Sequence, residues 1–163
     1  MESSFGCLKE VTISHTTTLK GMKIKDARAM RDAVANLKRQ GINCDLLENA
    51  KPRMYYSNQE GVCDFVLRLH DGNYDVGFKL QDNGEYHAVL DTWNGYVADQ
   101  IGADRATCPI PSTPEGRTQH AMGRFLQEYG LHTAINTATA DGMIVEGYSK
   151  DAQGNYQLEL AVL

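Results

Sequence analysis

Cys63-Asp64-Phe65-Val66-Leu67-Arg68-Leu69, then Tyr74-Asp75-Val76-Gly77-Phe78-Lys79-Leu80, then Tyr86-His87-Ala88-Val89-Leu90 are three short runs in which apolar side chains recur at alternate positions. A period of two is that of a strand, so each run sends its apolar set to one face of a sheet. The opposite face is expected to carry Asp64, Arg68, Asp75, Lys79 and His87, and to be wet or to face a partner. Asp71-Gly72-Asn73 and Asp82-Asn83-Gly84 separate the runs, and the same punctuation returns at Asp151-Ala152-Gln153-Gly154, each time with a tyrosine two residues after the glycine. Asp and Asn bond their own main chain, and Gly enters the left-handed region without steric cost, so these are hairpin turns. The reading is a three-stranded meander over 62–91 and a closing hairpin that joins 143–148 to 156–162.

Working outward, residues 11–19 are rich in β-branched side chains and read as a first strand. Ala27, Met30, Val34 and Leu37 recur at spacings of three and four, with Asp26 placed to cap and Lys38-Arg39 before Gly41, which predicts a helix of about four turns. Ile42, Cys44 and Leu46 alternate as a second strand, broken around Lys51-Pro52-Arg53. Residues 94–102 suggest a short helix with Val97 and Ile101 on one face. Three prolines between Cys108 and Gly116 make 103–116 a long surface loop. The second main helix is expected from about Thr118, with Phe125, Leu126 and Tyr129 inward, running through Gly130 to Ala140. The sum is one α+β domain over 1–163: a two-layer sandwich with a mainly antiparallel sheet and two main helices on one face, loosely ferredoxin-like. Residues 1–12 stand as an N-terminal extension.

A composition of 42% hydrophobic and 23% charged residues fits an ordinary globular chain. No apolar run approaches the roughly 20 residues needed to cross a bilayer, and Met1-Glu2-Ser3-Ser4 lacks the basic and apolar regions of a signal peptide, so the cytoplasm is the expected compartment and no membrane partner is expected. The net charge of −5 argues against general nucleic-acid binding. Cys7, Cys44, Cys63 and Cys108 are widely spaced with no Cys-x-x-Cys pair, and are expected as reduced, mostly buried thiols.

His15 is the only acid or base worth naming, a weak catalytic candidate without an identifiable partner. His70, His87, His120 and His132 are scattered and predict no metal site; no cofactor motif is present. Asp71, Asn73 and Asp75 imitate the start of a calcium loop, but Val76 and Asp82 stand where that loop needs Gly and Glu. What remains is a binding inventory: Arg53, Tyr55 and Tyr56 before the meander, Arg68 and Lys79 on its polar face, and Trp93 after it. Aromatic rings stack on planar ligands and Arg forks onto phosphate or carboxylate. Trp93 and a tyrosine capping the core is the competing account of the aromatics.

Thr12 to Leu19 with its Ser14-His15, Cys63-Asp64-Phe65-Val66 leading to Tyr74-Asp75-Val76-Gly77-Phe78, and Ala134-Ile135-Asn136 before Gly142 together resemble the hypothetical chloroplast reading frame thirty-five family. The resemblance covers most of 13–163 and reaches plastid, cyanobacterial, bacterial and phage members. Relatives begin close to their Ser-His pair and follow it with Phe; here about a dozen residues precede Ser14, and Thr16 follows His15. The resemblance implies no activity and carries over no catalytic residue. The leading expectation is therefore a non-catalytic cytosolic protein that holds a small polar or nucleotide-like ligand, as a homo-oligomer. An accessory or regulatory protein that binds a host or partner protein stands second, and a hydrolase or transferase using His15 third.

Overall fold

A computed structural model of the chain describes residues 11–13, 17–19, 23–54 and 61–162. The fold is α+β. The meander forms as read: β4 (Cys63–Leu69), β5 (Val76–Leu80) and β6 (Tyr86–Leu90) pair antiparallel in sequence, and β3 (Cys44–Ala50) adds beside β4. A second sheet has the order β2-β1-β8-β7, from β1 (Val11–Ile13), β2 (Thr17–Leu19), β7 (Met143–Lys150) and β8 (Tyr156–Val162). The strands expected in one sheet are thus divided between two. The single strand expected over 11–19 is corrected to two short antiparallel strands, Val11 facing Leu19 and Ile13 facing Thr17. β-Branched residues favour extended backbone but do not set its length, and β1 finds its second neighbour in parallel β8.

α1 (Ala27–Arg39) follows its apolar stripe and buries Ala29, Met30, Ala33, Val34 and Leu37. Asp26 caps it, accepting the Ala29 N–H at 3.1 Å. At the far end the Ile42 N–H reaches Leu37 O and the Gly41 N–H reaches Lys38 O, the paired bonds of a Schellman stop. α2 (Tyr96–Ile101) buries Val97 and Ile101 behind one 3₁₀ turn at Trp93–Gly95.

The 103–116 loop is corrected at its end, where Pro114 opens α3 (Pro114–Ala121) and Thr113 Oγ1 accepts the Gly116 N–H at 3.1 Å. Proline's missing N–H costs nothing at a first helical position, so the residue read as a breaker is a starter. The helix does not begin near Thr118. The chain turns at Met122, and α4 (Gly123–Ala140) then runs unbroken through a buried Gly130.

Two buried clusters share α4. Phe125, Leu126 and Tyr129 join α1, α2 and the inner face of β3–β6; Leu131 and Ala134 join Tyr156 and Leu158 of the second sheet. Tyr129 also fixes α1 to α4, its hydroxyl accepting the Lys25 and Asp26 N–H groups at 2.8 and 3.0 Å.

Two of the three punctuation marks are the same turn. Gly84 and Gly154 sit at φ +84° and +82°, with Gln81 N–H to Glu85 O in one and Asp151 N–H to Asn155 O in the other, three-residue loops ending in a left-handed glycine. Gly72 has no positive φ, and its N–H closes a turn onto Leu69 O at 3.1 Å.

The outer face of the meander is not open throughout. Val66 is buried, and a Cβ on Gly77, its cross-strand partner, would meet Pro52 Cγ at 3.1 Å and Val89 Cγ2 at 2.8 Å. Residues 51–54 lie across this face, and the expectation that it is wet or faces a partner is corrected there.

Candidate functional site

The sequence-chosen residues separate. Arg53 and Arg68 come together on Asp75, which is wholly buried instead of facing water as expected. Asp75 accepts Arg53 N–H at 2.9 Å, Arg53 Nε and Nη2 at 3.0 and 2.8 Å, and Leu69 N–H at 3.1 Å. Arg68 Nε lies 3.0 Å from Oδ2, the oxygen that also accepts Arg53 N–H and Nε, as an ion pair without hydrogen-bond alignment. Arg53 Nη2 also donates to Leu69 O at 2.7 Å, and the Asp75 hydrogen bond raises the Arg53 pKa further. Two guanidiniums on one buried carboxylate lock the 51–54 segment to the sheet, and Arg53 Nε and Nη2 are spent on that contact.

Lys79 lies on β5, and Trp93 is 65% exposed on its 3₁₀ turn, which corrects the account in which it caps the core. Tyr55, Tyr56 and His15 lie outside the described residues. Cys44 and Cys63 are buried thiols, whereas Cys108 is disulfide-bonded, which corrects the reduced state expected of it. Among the described residues no group of three His, Cys, Asp or Glu side chains could hold a metal ion, and no helix is long and apolar enough to cross a membrane.

A cleft of about 690 Å³ lies elsewhere, between the end of α2 with its 102–108 loop, the first turns of α4, and the turn from β7 to β8. Asp99, Asp104, Arg105, Arg124, Gln127 and Lys150 give it charge and hydrogen-bonding capacity. Its walls are pinned: His120 donates from Nε2 to Cys108 O at 2.7 Å, Ala103 N–H reaches His120 O at 2.8 Å, and Gln127 Nε2 reaches Gly154 O at 2.6 Å. None of the residues chosen from sequence lines it.

Behind the cleft sits Glu128, 2% exposed. One carboxylate oxygen accepts Asn36 Nδ2 at 2.5 Å; the other accepts Gln40 Nε2 at 2.7 Å and the Tyr156 hydroxyl at 2.5 Å. Burial, and then the hydrogen bond to this carboxylate, push the Tyr156 pKa far up, so its hydroxyl stays a donor. One sequence signal was available, a carboxylate among the large apolar side chains Phe125, Leu126, Tyr129 and Leu131. Arg124 and Lys150 gave none, because exposed cations on a helix and a strand are ordinary.

No curated protein and no solved structure matches the chain. Residues 37–159, which contain the cleft and Glu128, match the family described as "Protein of unknown function (DUF1257)", and the chain belongs to that family.

Proposed function

We propose that this chain is a non-catalytic binding protein that holds a small polar, nucleotide-sized ligand in the cleft, working as a homo-oligomer. The same reading makes it kin to the chloroplast reading frame thirty-five proteins. The cleft carries the argument: about 690 Å³ is within the roughly 300–1,000 Å³ usual for small-molecule sites, and its walls come from three separate parts of the chain held together by hydrogen bonds. Such a site is formed before its ligand arrives, which lowers the ordering cost of binding. Self-association is favoured by β7, which among the described residues pairs with β8 alone and exposes Ile144 and Tyr148.

Native mass spectrometry under gentle and then denaturing conditions, with thermal melts across a nucleotide and metabolite panel, tests this reading. The expected result is a multiple of the chain mass with a small molecule lost on denaturation, and stabilisation of about 2.7 kcal/mol at a hundredfold excess over Kd. A monomer without bound mass that no compound stabilises would refute it.

A further inference from the structure

The cleft contains more positive than negative charge once its internal pairs are set aside. Asp99 and Arg105 neutralise one another at 2.7 Å. Asp104 turns a carboxylate oxygen onto the Ala106 N–H at 2.9 Å. Arg124 and Lys150 remain against the single charge of Asp104, both exposed and neither in an ion pair among the described residues.

Each is nonetheless tied back, and to the same atom. Arg124 Nη2 donates to Gln40 Oε1 at 3.0 Å, and Gln40 Nε2 donates to Glu128 Oε1 at 2.7 Å. Lys150 Nζ stands 4.8 Å from the ring centroid of Tyr156, whose hydroxyl donates to that same Oε1 at 2.5 Å. A hydroxyl that donates to a carboxylate makes its ring more electron-rich and a better seat for an ammonium, and an amide polarised at its N–H end accepts better at its carbonyl. The buried charge is therefore felt at both cations through one intermediary each.

From this we infer that the cleft is an oxyanion site in which Arg124 and Lys150 bind phosphate or carboxylate oxygens and Glu128 is the buried positioning residue for both. The inference rests on the binding-protein reading and names its ligand class. Arg124 has five N–H donors, of which the described contacts engage one; Lys150 meets Tyr156 through its charge and keeps its three donors. No aromatic ring is among the described residues lining the cleft, and the donors those residues present suit an anionic group.

The test is calorimetric titration of the full chain at low ionic strength with pyrophosphate, with tricarballylate and with adenosine. At least one anion is expected to bind and adenosine not, the stronger anion distinguishing a phosphate from a carboxylate ligand. Arg124→Gln and Lys150→Gln should each weaken that anion about tenfold or more. Glu128→Gln should weaken it severalfold and average the side-chain N–H signal of Arg124 in an NMR spectrum. Asn136→Ala, which loosens the fold at Asp26 far from the cleft, should leave affinity unchanged.

Equal loss in Asn136→Ala, or unchanged affinity in Glu128→Gln, overturns the positioning role. Unchanged affinity in both cation variants overturns the site. Should the wild type bind neither anion while a neutral metabolite stabilises it, the oxyanion inference falls and the binding-protein reading stands; stabilisation by nothing removes both.

Discussion

Asp75 is a carboxylate removed from water at the cost of two guanidiniums that must stay beside it. Replacing it with Ala leaves Arg68, half-buried, and Arg53, 40% exposed, facing each other without a counter-charge. Asp75→Ala should cost about 3–5 kcal/mol, the usual penalty for breaking a buried pair by removing one partner. Asp75→Asn should cost less, because an amide oxygen still accepts the Leu69 N–H. Urea midpoints measure both, and a loss under about 1 kcal/mol for the Ala variant would contradict this account. Arg53 and Arg68 stand out in the sequence only as cations expected to meet a ligand, whereas the structure places both on Asp75, which strand alternation assigns to the same face. That the face was covered could not be read, because Arg53 reaches Asp75 across 22 residues through an irregular segment with no periodicity to follow.

Among the elements, α1 was the most legible, since its stripe, cap and stop are all local signals. Asp26 gives it a pH dependence. Burial pushes its carboxyl up, but the Ala29 N–H, the Asn136 amide and the Arg28 N–H together bring the pKa below the usual carboxylate value. A folded pKa below the unfolded one means that the stabilisation is complete above about pH 4 and is lost as pH falls through the lower, folded value. Asp26→Ala should cost about 0.5–2 kcal/mol at pH 7, with the gap from wild type closing as the pH falls below the ordinary carboxylate range in paired denaturation curves. A gap constant with pH would show that the helix start is held by Tyr129 instead. α3 and α4 were less legible because one residue type has two uses. Pro114 starts a helix where a third proline in nine residues predicts none, and Gly130 is carried inside a helix by packing that outweighs its roughly 1 kcal/mol propensity cost.

For the whole molecule, the division of strands into two sheets was beyond the reach of local pattern, because alternation reports which way a side chain points and not which sheet its strand joins. α4 is what makes two sheets one body. Leu131 belongs to the cluster under β8, and Phe125 to the cluster under β5, less than two helical turns away. Leu131→Ala should cost about 2–5 kcal/mol and lower the stability of both sheets together. Cys44 and Cys63 can report this, standing at opposite ends of one ladder, Cys44 facing Leu69 and Cys63 facing Ala50. Burial, with Asp45 adding to it, pushes the Cys44 thiol up to about 11, so alkylation waits for the strand to open. If the sheets open as one, Leu131→Ala will speed alkylation of Cys44 by the factor its lost stability dictates; an unchanged rate would mean they open separately. The chain thus contains its own stopwatch, two sulfur atoms whose reaction times record which end of the same seam parts first.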